Sequence, residues 1–140
     1  MIRHVDSLDF YKGYMQLINI FTREPRESTL QDFKNILIKI KEQNSEIFVI
    51  EQDNKIVATI HTFYEYKIHN NFKLVCHIED LATDKEYRNR GYATKLLEFA
   101  MNRALEKDCY KTVLCTNTLN KDFYLHNGFL EKGTELCIYH

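Results

Sequence analysis

The apolar positions change period along the chain, and each change marks an element. Ile2–Val5 is a short apolar run suited to a strand. Phe10, Tyr14, Leu17, Ile18 and Phe21 recur at helical spacing, so a first helix is expected to end near Arg23-Glu24-Pro25, where the residue before proline leaves the helical region. Ser28 and Gln31 offer a capping box for a second helix with the stripe Leu30, Phe33, Ile36, Leu37 and Ile40. Gln43–Glu46 is a polar loop. Two strands, Ile47–Gln52 and Ile56–Tyr66, meet at the tight-turn pair Asp53-Asn54, and His69-Asn70-Asn71 turns the chain into a strand over Lys73–Thr83.

The clearest helix follows. Ala93, Leu96, Leu97, Ala100, Met101, Ala104 and Leu105 fall three and four apart, the pattern of one buried face. Lys111–Cys115 reads as a strand, Asp122–His126 as a short helix stopped at Asn127-Gly128, and Leu136–Tyr139 as a closing strand. Neither repeat nor linker interrupts the order, so residues 1–140 are expected to form one domain, a mixed α/β arrangement with a central sheet flanked by helices.

Between the strand at Lys73–Thr83 and its helix lies Arg88-Asn89-Arg90-Gly91-Tyr92-Ala93, a basic turn with its glycine where the helix begins. Strand, tight turn and helix start together present free backbone N–H groups and the positive end of a helix dipole to an anion. Gly91 lets a phosphate approach the backbone, and Ala93 keeps the first turn narrow. The turn lacks the Gly-Lys-Ser/Thr of a Walker loop and the three glycines of a dinucleotide fingerprint.

Composition bounds the partners. A net charge of −1, with 44% hydrophobic and 28% charged residues, is ordinary for a soluble protein and gives no basic face for nucleic acid or anionic membrane. The absence of a long apolar run or signal-like start suggests a soluble, cytoplasmic protein. Four cysteines without a Cys-x-x-Cys pair, and six histidines without an i, i+4 pair, suggest free thiols and no metal site.

The basic turn resembles the Arg/Gln-x-x-Gly-x-Gly/Ala signature of the GCN5-related N-acetyltransferases (GNAT), whose turn cradles the pyrophosphate of acetyl-coenzyme A. Further motifs narrow the resemblance. His77-Ile-Glu-Asp-Leu81, Glu65-Tyr-Lys-Ile-His69, Cys109-Tyr-Lys111 and Asn120-Lys-Asp-Phe-Tyr124 look like the glucosamine-6-phosphate N-acetyltransferases, in order and without large gaps. The resemblance implies the GNAT fold and direct acetyl transfer from acetyl-CoA to the amine of glucosamine 6-phosphate, with no acyl-enzyme. It implies a coenzyme site at Leu81, Ala82, Thr83, Arg88, Asn89, Arg90, Gly91, Tyr92, Ala93, Thr94, Asn120 and Tyr124. It also implies a substrate site at Thr22, Lys67, Ile68, His69, Asn70, Glu79, Asp80, Leu81, Tyr110 and Lys111, shared across a homodimer.

Transfer from a thioester to an amine needs an uncharged amine, stabilisation of the carbonyl oxygen, and a proton or hydrogen bond for the departing thiolate. Tyr124, a neutral phenol at pH 7, suits the last task. Glu79 and Asp80 suit the amine and sugar hydroxyls, although neighbours on a strand point to opposite faces. Lys67 and Lys111 suit a phosphomonoester.

Three positions depart from the pattern. Cys115 stands where relatives carry an acidic substrate contact, and Tyr139 where some carry an arginine for the phosphate, which leaves Arg23 or Arg26 as substitutes. Cys76 replaces a small residue. Two other readings therefore stay open: the same fold acting on another amine, and a coenzyme-A-binding module without turnover.

Overall fold

In a computed structural model describing residues Met1–His140, five strands form one mixed sheet in sequential order: β1 (Ile2–His4), β2 (Ser45–Gln52), β3 (Lys55–Tyr66), β4 (Leu74–Thr83) and β5 (Cys109–Val113). The first four are antiparallel, and β5 lies parallel to β4. A parallel pair needs a crossover, supplied by α3 (Tyr92–Glu106). No helix is long and apolar enough to cross a membrane.

Each face of the sheet carries its own core. On one, Leu96, Leu97, Ala100 and Ala104 of α3 pack with Phe48, Ile60, Tyr64, Cys76 and Ile78. Burying each leucine stabilises the fold by roughly 1.5–3 kcal/mol. On the other, α1 (Tyr14–Ile18) and α2 (Leu30–Glu42) bring Tyr14, Leu17 and Phe33 against Ile47, Val49, Ile56 and Ala82. Leu105 is 73% exposed and Ile36 47% exposed, so the apolar stripes are narrower than their sequence pattern.

Several boundaries differ from expectation for local reasons. The first helix is broken into a 3-10 turn (Ser7–Lys12), α1 and a second 3-10 turn (Asn19–Phe21). Gly13, at φ 83°, ends the first piece in a left-handed cap that a continuous helix would not permit. The capping box of α2 is Thr29 with Asp32, displaced by one residue from Ser28 with Gln31. Thr29 Oγ1 accepts from the Asp32 N–H at 3.1 Å, and the Asp32 carboxylate accepts from the Thr29 N–H at 2.9 Å.

Strand β5 begins and ends two residues before the predicted Lys111–Cys115. α4 (Thr118–His126) starts before Asp122 because Asn117 caps it, its Oδ1 accepting from the Asn120 N–H at 3.0 Å. Residues 129–140 carry no strand, contrary to the reading of Leu136–Tyr139. A strand requires a neighbouring edge, and no other strand of the chain pairs with this segment; Leu136 and Tyr139 are 90% and 93% exposed.

Candidate active site

The site begins where β4 outruns its neighbour. β4 and β5 stay paired only as far as His77 opposite Val113, so the later part of β4 has no partner on that edge. On its other edge the register shifts: Thr59 faces Ala82 and His61 faces Glu79, leaving Ile60 opposite both Asp80 and Leu81. Asp80 takes φ 49°, a left-handed conformation that aspartate tolerates better than most residues. A β-bulge of this kind leaves ladder hydrogen bonds unmade and re-aims side chains, a common device beside active sites.

At the far end of β4, Asp84 caps the 3-10 turn Lys85–Tyr87 and the basic turn follows. Arg88 donates to the Thr83 carbonyl at 3.3 Å, and Arg90 donates to the Glu86 carbonyl at 3.0 Å while its guanidinium lies 4.8 Å from the Tyr87 ring centre. These contacts hold both cations at the mouth of the turn. Gly91 sits at φ 78°, and no side-chain hydrogen bond caps α3. The Lys95 N–H is paired to the Gly91 carbonyl at 3.0 Å, which leaves the earlier N–H groups without intrahelical acceptors. No other part of the protein comes within 4 Å of a Cβ placed at Gly91. An uncapped helix start, two flanking guanidiniums and a clear approach fit a pyrophosphate.

Tyr124 comes from α4. Its ring packs edge-on to Phe123 at 5.1 Å and Phe129 at 5.9 Å. All three pack on the α3-side core together with Leu81 and Tyr92. Burial pushes the Tyr124 phenol above its ordinary value, so it stays protonated at neutral pH and able to donate. Asn120 shares α4 but is exposed. Ala82 is buried against Tyr14 and Leu17, so only its main chain is free to meet a ligand. The Thr83 hydroxyl is buried without a partner.

The predicted acceptor residues divide into two groups. Glu79 and Asp80 are exposed at the bulge, with Leu81 half-buried. Lys67, Ile68, His69 and Asn70 lie at and beyond the end of β3, away from the bulge; the His69 ring reaches Tyr110 of β5 at 6.2 Å. Lys67 Nζ lies 2.5 Å from Glu65, which also meets His77 Nε2 at 2.7 Å, so its charge is already shared. Lys111 is exposed, and Thr22 ends the 3-10 turn after α1 with its hydroxyl 3.5 Å from Asn19 Oδ1.

All four cysteines are free. Burial pushes the Cys76 thiol up to about 12, and it also raises Cys115, with Glu135 and Glu79 adding to the effect. Neither is poised as a thiolate nucleophile. No group of histidine, cysteine, aspartate and glutamate side chains is arranged to hold a metal ion.

Two residues near the bulge were not singled out from the sequence. Tyr14 is buried, and its phenol is pushed up to about 12 by burial; the nearby Thr59 hydroxyl opposes the rise, and Asp80 and Asp9 add to it. His61 interrupts an apolar strand and lies 3.8 Å from Asp80. A histidine amid Ile-Val-Ala-Thr-Ile was the available signal.

The parted strand, the bulge and the uncapped basic turn before α3 define an acetyltransferase architecture. Residues 11–129 match the model of the Acetyltransferase (GNAT) family, and the chain belongs to that family. Members of the family use acetyl-CoA. The chain is similar to glucosamine 6-phosphate N-acetyltransferase 1 of Dictyostelium discoideum, 30% identical over 98% of this chain and 88% of the relative. It is also similar to glucosamine 6-phosphate N-acetyltransferase of Candida albicans, 32% identical over 96% and 91%. The crystal structure of glucosamine-6-phosphate N-acetyltransferase from Arabidopsis thaliana superposes with a TM-score of 0.94 at 29% identity, covering 99% of this chain and 97% of that one.

Proposed function

We propose that this protein transfers the acetyl group of acetyl-CoA to the 2-amino group of glucosamine 6-phosphate. The observation that carries the reading is the opening where β4 continues past Val113 of β5, flanked by the phosphate-binding turn and Tyr124. Relatives bearing that activity in their names match nearly the whole chain, which supports the acceptor.

The chain's residues divide the work. The N–H groups at the start of α3, with Arg88 and Arg90, hold the pyrophosphate. The unpaired edge and bulge of β4 offer main-chain donors where the thioester oxygen gains charge. Glu79 and Asp80 orient the amine, which attacks in its uncharged form. Tyr124 donates to the departing thiolate, so no acyl-enzyme is required.

We further propose a homodimer. Ile68 and Phe72 are 88% and 74% exposed, β5 is an edge strand, and the apolar side chains of residues 130–140 are uncovered. A second copy would cover such surfaces. The free thiols accord with a cytoplasmic setting, to be checked by cell fractionation.

Cys115 and Tyr139 favour a second reading, the same chemistry on another amine. The test is a rate assay over phosphorylated and unphosphorylated amino sugars and unrelated amines. A preference for glucosamine 6-phosphate is expected. Faster turnover of another amine would replace the acceptor, and coenzyme binding without turnover of any amine would remove the catalytic reading.

A further inference from the structure

Beneath α1 and α2 lies a cavity of about 310 Å³ that reaches the bulge of β4. Its walls are mostly apolar, among them Ile18, Ile36 and Ile47, and its polar residues include Tyr14, His61 and Asp80. His61 occupies β3 opposite Glu79, with 17% of its side chain exposed. Its Nδ1 lies 3.8 Å from Asp80 Oδ2, while its Nε2 is buried and has no hydrogen-bond partner. A buried polar atom left unpaired costs stability; Ser45 Oγ and Thr83 Oγ1 share that state, and of the three residues only His61 lines this cavity.

The carboxylate biases which ring nitrogen holds the proton. A neutral imidazole has one donor and one acceptor, and a negative charge beside Nδ1 favours the proton there. Nε2 is then an acceptor in need of a donor. Apolar walls interrupted by polar groups at Tyr14, Ser28, Asp32, His61 and Asp80 suit a pyranose, which has apolar C–H faces and hydroxyls around its rim. Its amine would lie nearest the carboxylates at the bulge.

We propose that His61 is a specificity-determining residue for the acceptor, its Nε2 accepting a hydrogen bond from a hydroxyl of a polyhydroxylated amine seated in this cavity. The inference rests on the amino-sugar reading of the site and extends it to one contact. A site built to bond a hydroxyl rejects analogues lacking it, because the buried nitrogen is left unpaired. His61 thereby selects sugars over simple amines of similar charge.

The test compares wild type, His61→Phe and His61→Gln on glucosamine 6-phosphate and its monodeoxy analogues, with acetyl-CoA affinity and thermal midpoint measured on each protein. His61→Phe should lower kcat/KM on the parent sugar roughly 5- to 150-fold. His61→Gln, which keeps a hydrogen-bonding group, should lose less. For the analogue lacking the contacted hydroxyl, wild type and His61→Phe should be equal, and coenzyme affinity should not change.

Equal kcat/KM for wild type and His61→Phe on the parent sugar would overturn the proposal, leaving His61 as the wall of a water-filled space. A uniform loss on every analogue would also overturn it, since a structural role predicts no dependence on one hydroxyl. If His61→Phe does not fold, the same comparison in His61→Gln decides. A wild-type protein that acetylates no amino sugar overturns both this proposal and the reading beneath it. An active wild type with an indifferent His61 variant overturns this proposal alone.

Discussion

Tyr124→Phe removes one oxygen and keeps the ring. The contacts with Phe123 at 5.1 Å and Phe129 at 5.9 Å belong to the ring, so packing on the α3-side core should survive. The Tyr124 hydroxyl makes no hydrogen bond within the protein, so its removal should move the thermal midpoint by no more than a few degrees. Turnover should respond differently. A hydrogen bond to a departing thiolate strengthens as charge develops on sulfur, and therefore lowers the transition state more than the ground state. General-acid assistance typically contributes about 10²–10⁴-fold, equivalent to roughly 2.7–5.4 kcal/mol of barrier. The expected result is a kcat lower by that factor with KM nearly unchanged. Burial raises the phenol pKa, so the donor form persists to higher pH than for an exposed tyrosine and the loss should hold across neutral pH. The assay measures coenzyme A release and thermal midpoint on one preparation. Near-normal kcat in a folded variant would remove Tyr124 from the chemistry.

Gly91→Val places a β-branched residue at φ 78°, at a strain of roughly 1–2 kcal/mol, and fills the clear approach to α3; acetyl-CoA affinity should fall about tenfold or more in calorimetry while the domain stays folded. Unchanged affinity would move the phosphate site elsewhere. Arg3→Met strips the fully buried Asp9 carboxylate of hydrogen bonds at 2.8 and 2.7 Å, and should cost about 3–5 kcal/mol in urea unfolding; a change under about 1 kcal/mol would show that Asp9 is not held by Arg3. Mixing Lys67→Ala with Tyr124→Phe should restore part of the activity if sites are shared between subunits, whereas a fully active monomer would refute sharing.

The long elements were legible because their apolar period is regular. α3 and the strands β2, β3 and β4 fall within two residues of their expected bounds, and their side chains form the two cores. Short elements were less legible, since one cap decides them. Gly13 breaks the first helix, and Asn117 starts α4 early. The basic turn before α3 was visible because Arg88, Gly91 and Ala93 lie close together in sequence. His61 was not, because its meaning comes from Asp80 across the ladder and from helices that precede both. Leu136–Tyr139 alternates as a strand does, yet no strand of the sheet pairs with it.

The bulge in β4 explains why alternation could not assign Glu79 and Asp80 to a face. In a regular strand Ile78 and Ala82, four apart, would share one side. Here Ile78 belongs to the core under α3 and Ala82 to the core under α1 and α2. One extra residue inverts the parity of the strand between them. The inversion falls at Asp80 and Leu81, just beyond the level where β5 leaves β4 at Val113. The strand therefore loses its regular ladder on both edges within a few residues. That coincidence puts the irregular part of β4 between the face that carries α3 and Tyr124 and the face that carries the His61 cavity. Under the proposed function, donor and acceptor would approach from opposite sides of the sheet and meet at its broken edge, which would keep the two binding sites distinct while bringing the reacting atoms together.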